Sequence, residues 1–270
     1  MSEIELPQAL NSLQSQKFGR RVYQIQQGDQ SYWLKLQLKQ SNQAYQDSFL
    51  HELDIYQQLN RFEKVDQSFL CNFSIFNPYQ KFNLKEDVFD QALWIENVPA
   101  LFATHPNQLE LSDIFSTLML SLEVLEQLHD LGYVHGDLKT EHFRCSHLRR
   151  PHLRVALIDY EQCFHVTDVG VMPNTATPRY MAPELFHAAP KSFATDLYAL
   201  GIIWLEWLTQ RRLTAKSYQD WAILHCQQLE VDLPSRFKIF EAVLKSMLKK
   251  KAGQRCTNIY QIKQQLSQIA

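Results

Sequence analysis

Two short polar motifs supply the side chains best suited to chemistry. Residues 135–139 read His-Gly-Asp-Leu-Lys and follow a long stretch with helical spacing, and residues 159–161 read Asp-Tyr-Glu and follow a strand-like run. Each motif alone also suits an ordinary loop or a helix cap. Together they place two aspartates in loops after buried elements. Phosphoryl transfer needs this pair, because one carboxylate orients the attacking hydroxyl and the other holds Mg²⁺ against the phosphates.

Further motifs in a fixed order make a family resemblance specific. Residues 135–139 resemble the catalytic loop of the protein kinase family, and residues 159–161 resemble its metal-binding Asp-Phe-Gly segment. Residues 177–184, Thr-Pro-Arg-Tyr-Met-Ala-Pro-Glu, are similar to the end of a kinase activation segment. Residues 196–201 resemble the start of the buried helix that follows the activation segment in kinases. Arg255 resembles the arginine that pairs with the Glu of the Ala-Pro-Glu triplet. These matches run in order from about residue 18 to residue 257.

The N-terminal part resembles the family more weakly. Lys35, in the sequence Tyr-Trp-Leu-Lys, is similar to the strand lysine that contacts the nucleotide phosphates. Glu52 lies on a predicted helix where the family has the ion-pair partner of that lysine. A lone strand lysine is normally a solvated edge residue, so this assignment depends on the resemblance.

The resemblance implies a role for each matching residue. Asp137 would accept or orient the proton of the substrate hydroxyl, and Lys139 would stabilise the transferring phosphoryl group. Asp159 would hold Mg²⁺, and Lys35, held by Glu52, would position ATP. Catalysis of this kind consists mainly of positioning and electrostatic stabilisation.

One departure from the family pattern lies where its glycine-rich loop is expected. Residues 13–19 read Leu-Gln-Ser-Gln-Lys-Phe-Gly, so Gly19 is the glycine carried over as an ATP contact. Gln14 and Gln16 stand in the first two glycine positions. Glycine lets backbone N–H groups approach phosphates closely, so the added Cβ atoms should loosen this clamp.

Three more departures concern the catalytic segments. His142 stands where the family has a metal-binding Asn. Because Mg²⁺ prefers oxygen ligands and imidazole is a poor substitute, we expect a weakened second metal site or a preference for Mn²⁺, with Glu141 as a replacement carboxylate. Gly136 replaces an Arg that pairs with a phosphorylated residue in many regulated members. Glu161 replaces the glycine after the metal-binding Asp, and we expect it to restrict the segment.

The elements that must position these residues fall into two groups. Alternating residues 20–38 predict a hairpin, residues 46–60 a helix, and residues 69–76 and 92–95 strands. After a connector near residue 98, Ser112 and Asp113 are expected to cap a long helix, and the chain becomes mainly helical. The expectation is an α+β, bilobal, kinase-like fold in a single domain, residues 1–270. It has a small β-rich N-lobe, about 1–97, and a larger helical C-lobe, about 98–270.

Composition excludes several other classes of protein. The formal net charge of −2 provides no field for nucleic acid. Residues 1–7 lack the pattern of a signal peptide, and the longest apolar stretch, residues 197–208, is too short for membrane insertion. The five cysteines are scattered, without a CxxC pair, which indicates reduced thiols and a cytoplasmic location.

Three functions remain open from the sequence. The first is a Ser/Thr protein kinase that uses ATP and Mg²⁺ on Ser/Thr side chains of protein substrates. The second is a pseudokinase that binds nucleotide or a partner as a scaffold, which the missing glycines and His142 favour. The third is a small-molecule kinase, since fold alone does not fix the acceptor. Residues 177–184 and Arg255 favour a peptide-binding platform over that third function.

Overall fold

The computed structural model describes residues 6–62, 69–82, 84, 88–146, 154–168 and 176–269. The chain divides into two compact units. The first comprises Met1–Pro99 together with Ile158–Glu161, and the second comprises Ala100–Leu157 together with Gln162–Ala270. The segment that carries Asp159 therefore belongs with the N-terminal unit, although it lies far along the chain.

The first unit is built on an antiparallel sheet. Within the described residues the sheet has four strands in the order β1–β2–β4–β3. The strands are β1 Arg20–Gln27, β2 Gln30–Leu38, β3 Phe73–Phe76 and β4 Phe89–Glu96. The helices of this unit are α1 Leu13–Lys17, α2 Gln43–Asn60 and α3 Tyr79–Phe82.

Strand β2 and helix α2 present the key polar side chains of this unit. Along β2, Leu34 and Leu36 are fully buried, so Lys35 between them points to the opposite face of the sheet. Helix α2 buries a stripe with a period near 3.6 residues that includes Leu53 and Tyr56. Glu52 lies in the same buried stripe, where a carboxylate needs a cationic partner.

Three local expectations from the sequence need correction. Residues 13–17 form helix α1, in which the Ser12 hydroxyl accepts a hydrogen bond from the Ser15 amide, rather than an extended loop. The strand expected over 69–76 begins only at Phe73. The long helix α4, Leu111–Asp130, has Glu110 as its N-cap residue and no side-chain cap, so the cap expected at Ser112 and Asp113 is wrong.

The second unit is mainly helical. Its α-helices are α4 Leu111–Asp130, α5 Phe193–Thr209, α6 Tyr218–Ile223, α7 Glu241–Met247 and α8 Ile259–Ser267. Two short antiparallel pairs join β5 Tyr133–Val134 to β8 Phe164–His165, and β6 Phe143–Ser146 to β7 Arg154–Leu157. Helix α5 is buried around most of its surface, as its apolar sequence requires.

The division into a strand-rich N-terminal part and a helical C-terminal part is confirmed. Among the described residues, no helix combines the length and the apolar character needed to cross a bilayer.

Candidate active site

The first polar cluster surrounds the ammonium group of Lys35. Its Nζ lies 2.8 Å from Glu52 Oε2, 2.9 Å from Asp159 Oδ1 and 2.6 Å from Glu161 Oε1. The Lys35 side chain is 14% exposed and that of Glu52 is fully buried. The Lys35 ammonium donates a hydrogen bond to Asp159 Oδ1, and the carboxylates of Glu52 and Glu161 lie within ion-pair distance.

Burial and charge act in opposite directions on this cluster. Burial alone would lower the pKa of Lys35, but the carboxylates of Asp159, Glu161 and Glu52 reverse this and raise it. Burial raises the pKa of Glu52 to about 7, and the Lys35 ammonium offsets only part of that rise. Lys35 therefore stays charged at neutral pH, and its positive charge stabilises the ionised form of the buried Glu52 carboxylate.

Asp159 offers the oxygen donors that a hard cation requires. Its backbone has φ +68°, a left-handed conformation that Asp adopts more readily than most residues, and its side chain is about one-third exposed. Carboxylate oxygens of Glu52, Asp159 and Glu161 lie within 4.8 Å of one another. An all-oxygen set of this kind suits a hard divalent cation, and the role of Asp159 as the metal ligand stays a prediction.

The contacts of Glu161 were not predicted from the sequence. Besides Lys35, Glu161 Oε1 lies 3.0 Å from Arg20 Nη2 on β1. Glu161 Oε2 accepts a hydrogen bond from the Ser48 hydroxyl on α2 at 3.0 Å. Ser48 and Arg20 match no motif, so the replacement of glycine by Glu161 was the single signal in the sequence.

Gly19 packs closely against neighbouring side chains. It has φ +90°, and a Cβ at this position would lie 2.0 Å from Ser41 Oγ and 2.6 Å from Gln37 Nε2. Gln37 Nε2 in turn donates to the Phe18 carbonyl at 2.8 Å. This packing requires glycine by itself, and the contact of Gly19 with ATP stays a prediction.

The second polar cluster surrounds Asp137. Asp137 Oδ2 lies 2.9 Å from Lys139 Nζ, and Oδ1 accepts a hydrogen bond from the Thr177 amide at 2.7 Å. Burial would raise the pKa of Asp137, but Lys139 and the Thr177 amide outweigh it and hold the pKa below its usual range. Asp137 is therefore ionised at neutral pH and suited to orient a hydroxyl group.

Helix α5 positions the backbone of residues 135–139. Asp196, in its first turn, accepts hydrogen bonds from the amides of His135 at 2.8 Å and Gly136 at 2.9 Å. His129 Nε2 lies 3.0 Å from the same carboxylate. Because two backbone amides bind one buried carboxylate, the loop that carries Asp137 is fixed to α5.

The structure gives a physical reason for Gly136. It has φ +78°, and a Cβ there would lie 2.5 Å from the Gln162 carbonyl oxygen and 3.1 Å from Lys191 Cδ. Lys191 is buried, and its Nζ donates to Gln162 Oε1 at 2.8 Å. The side chain of Lys191 therefore occupies part of the space that a side chain at position 136 would need.

Glu184 and Arg255 form a bidentate ion pair. Arg255 Nη1 and Nη2 lie 2.7 and 2.9 Å from the two carboxylate oxygens of Glu184. Arg255 also donates to the carbonyls of Ala194 at 3.0 Å and Lys249 at 3.2 Å. The pair thus fixes the segment before α5 to the chain that precedes α8.

A family comparison agrees with this arrangement. Residues 17–267 match the model of the protein kinase domain, which is nearly the whole chain. The chain belongs to the protein kinase family. Kinase domains in general use ATP and a divalent metal ion, which fits the acidic cluster at Lys35.

Curated relatives of this kinase match over shorter segments. Serine/threonine-protein kinase ULK3 of Xenopus laevis is 29% identical over 113 residues, which is 42% of this chain and 24% of the relative. Serine/threonine/tyrosine-protein kinase HT1 of Arabidopsis thaliana is 31% identical over 100 residues, 36% of this chain and 25% of the relative. The 3-phosphoinositide-dependent protein kinase 1 of the same plant is 28% identical over 90 residues, 30% of this chain and 18% of the relative. These matches therefore span a quarter or less of each relative.

The predicted site residues of the kinase lie in two clusters. Lys35, Glu52 and Asp159 are together in the first unit, and Asp137 and Lys139 are together in the second. His142 is buried, and its ring centroid lies 5.4 Å from that of His135. Among the described residues, His142 is not part of the group of three potential metal ligands. The role of His142 as a metal ligand stays a prediction.

Proposed function

We propose that this kinase transfers the γ-phosphoryl group of ATP to Ser/Thr hydroxyls of protein substrates. The observation that carries the proposal is the contact of Lys35 Nζ with both Glu52 and Asp159. A fully buried glutamate beside a strand lysine holds that lysine in one position, where its charge serves nucleotide phosphates. Asp159 beside it supplies the carboxylate for Mg²⁺.

In the proposed reaction Asp137 is the base and Lys139 its cationic neighbour. Asp137 is ionised at neutral pH, so it accepts a hydrogen bond from the substrate hydroxyl and orients it for attack on the γ-phosphorus. Lys139 then balances the charge that develops on the transferring group. Bound Mg²⁺ supplies charge neutralisation at the phosphates.

The choice of Ser/Thr side chains of proteins as acceptors comes from the sequence around Asp137 and Thr177. Lys139, two residues after Asp137, and Thr177 before Tyr180 resemble the Ser/Thr-specific branch of the family. The Thr177 amide lies 2.7 Å from Asp137 Oδ1. Of the relatives, ULK3 is named a serine/threonine-protein kinase and HT1 a serine/threonine/tyrosine-protein kinase. The ion pair between Glu184 and Arg255 stabilises the segment of residues 177–184, which resembles a peptide-binding platform. Such a platform favours a protein acceptor over a small molecule.

Three further expectations belong to the same proposal. Residues 1–270 act as one catalytic domain, in which Gly19 contacts ATP. His142 either weakens the second metal position or makes the protein prefer Mn²⁺ over Mg²⁺. The location is cytoplasmic, on the basis of five cysteines that all have free thiols.

One observation favours the pseudokinase as a second candidate. Residues 13–17 form helix α1 in the place where the family has its glycine-rich loop. In this segment the amides of Ser15, Gln16 and Gly19 already donate to atoms of the segment itself, so they are not available to phosphates. Under this alternative the kinase binds a partner, and its cluster at Lys35 is a structural network of ion pairs.

Transfer of labelled phosphate from ATP tests the proposal. The acceptors are the protein itself and generic Ser/Thr protein substrates, with Mg²⁺ and separately with Mn²⁺. We expect Asp137→Asn and Lys35→Met each to lower the transfer rate by about 100-fold or more, because each removes a group that acts in the transition state. Asp220→Asn, at an exposed position of α6, should leave the rate unchanged.

Two results would contradict the proposal. Absence of transfer by the wild type to any of these acceptors, with thermal stabilisation by nucleotide or without it, favours the pseudokinase. Transfer that survives both substitutions shows that a different site or a contaminating kinase produces the signal.

A further inference from the structure

Glu161 connects three elements of the first unit. Its carboxylate contacts Lys35 on β2 at 2.6 Å, Arg20 on β1 at 3.0 Å and the Ser48 hydroxyl on α2 at 3.0 Å. Two of these contacts are ion pairs, with cations whose side chains are 14% and 4% exposed. The segment that carries Asp159 is therefore attached to the sheet and to α2 through one side chain.

Arg20 is a second buried cation beside the Glu161 carboxylate. The Arg20 side chain is 4% exposed, its Nη2 donates to the Tyr45 carbonyl at 3.3 Å, and its guanidinium lies 4.8 Å from the Phe49 ring centroid. A buried guanidinium is unfavourable without a carboxylate, and Glu161 provides one. Because Arg20 shares the charge of Glu161, Lys35 keeps its contacts with Glu52 and Asp159.

The backbone at Asp159 also needs such an attachment. Its φ of +68° is a sparsely populated conformation for a residue with a side chain. Strained backbone of this kind persists where surrounding contacts over-determine it. Glu161, two residues further on, supplies three such contacts in place of the freely rotating glycine of the family pattern.

We propose that Glu161 is a positioning residue, which fixes the Asp159 segment to β1, β2 and α2 and so holds Lys35, Glu52 and Asp159 in one arrangement. The inference rests on the proposed function only because phosphoryl transfer is the step that this arrangement serves.

The substitution Glu161→Gln tests the charge and keeps the shape. Gln can still accept the hydrogen bond from Ser48 but cannot pair with Arg20 and Lys35. We expect amide hydrogen exchange in residues 158–161 to become about tenfold faster, because two largely buried ion pairs are lost. ADP affinity in the presence of Mg²⁺ should fall about fivefold, because Lys35 and Asp159 are no longer fixed in position.

Three matched variants separate positioning from general stability. Glu230→Gln, at an exposed position, should behave as the wild type. Leu59→Val, in the core of α2, should lower the melting temperature and leave exchange in residues 158–161 unchanged. Ser48→Ala should speed exchange in the same direction as Glu161→Gln, and the double variant should show less than the sum of the two effects.

The outcomes bear on this proposal and on the proposed function separately. Exchange in residues 158–161 that stays at the wild-type rate in Glu161→Gln overturns the proposal. Unchanged or tighter ADP binding overturns it as well, because the carboxylate would then merely compete with phosphates for Lys35. Neither measurement needs turnover, so loss of phosphoryl transfer in the wild type would reject the proposed function alone. If the wild type does not bind ADP, the amide exchange rates of residues 158–161 alone decide whether Glu161 is a positioning residue.

Discussion

At the scale of single residues, two glycines share a left-handed backbone but differ in their surroundings. Gly136 has φ +78°, and a Cβ there would lie 2.5 Å from the backbone oxygen of Gln162. Gly28 has φ +60° in the β1–β2 turn, and a Cβ there would meet nothing within 4 Å. Substitution by alanine therefore introduces backbone strain alone at Gly28, but backbone strain and a steric clash at Gly136.

We predict that Gly136→Ala destabilises the kinase more than Gly28→Ala does. The free energy of unfolding should fall by about 2–4 kcal/mol for Gly136→Ala and by about 1 kcal/mol for Gly28→Ala. Urea unfolding followed by circular dichroism measures both. Equal losses in the two variants would show that the Gln162 carbonyl and Lys191 move aside without cost.

At the scale of elements, the pair between Glu184 and Arg255 joins parts that are distant in sequence. The Arg255 side chain is fully buried and makes two bonds to Glu184. Removing one partner of a buried pair leaves an uncompensated charge inside the protein. Lys245 is 57% exposed, and its partner Glu241, one turn away on α7, also pairs with Lys238, so loss of Lys245 does not leave Glu241 without a cation.

Substitution of the two cations should therefore have unequal effects. We expect Arg255→Met to lower the free energy of unfolding by about 3–5 kcal/mol, because Glu184 loses its partner in the interior. Lys245→Met should leave it unchanged within the error of urea unfolding. A small loss for Arg255→Met would mean that water reaches Glu184 and replaces the guanidinium.

Elements with a clear periodicity were predictable from the sequence, and short or capped elements were not. The β1–β2 hairpin and α2 have regular apolar patterns that decide their type, whereas α5 is apolar all round and was assigned through the family resemblance. Helix α1 has five residues and no apolar stripe, and it depends on the Ser12 cap. Helix α4 begins at Leu111 without a side-chain cap, so the capping signal was misleading there.

At the scale of the whole molecule, the site residues come from distant parts of the chain. Lys35 and Asp159 are 124 positions apart, yet their side chains lie 2.9 Å from each other in the first unit. Local patterns contain no information on such contacts, so these two residues were assigned through the family resemblance. Glu161 with Arg20, and Lys191 with Gln162, match no family motif, and the structure alone brings each pair together.

Lys191 links the interior of the second unit to the stability of the whole protein. Burial lowers the pKa of Lys191 to about 8, and the nearby Asp137, Asp196 and Cys163 only partly offset the lost hydration. In the unfolded chain the pKa returns to 10.5, its ordinary value. Between these values the unfolded state binds more protons than the folded state, so stability rises with pH in that window.

We therefore predict a pH dependence that Lys191→Met removes. From pH 7 to pH 10 the wild type should gain about 2–3 kcal/mol in free energy of unfolding relative to Lys191→Met, because each pKa unit corresponds to about 1.4 kcal/mol. Below pH 7 the two proteins should change in parallel, since Lys191 is protonated in both states. Lys216→Met, at an exposed position, should follow the wild type across the range. Parallel curves for wild type and Lys191→Met up to pH 10 would mean that Lys191 stays charged inside the fold, held by Asp137 and Asp196.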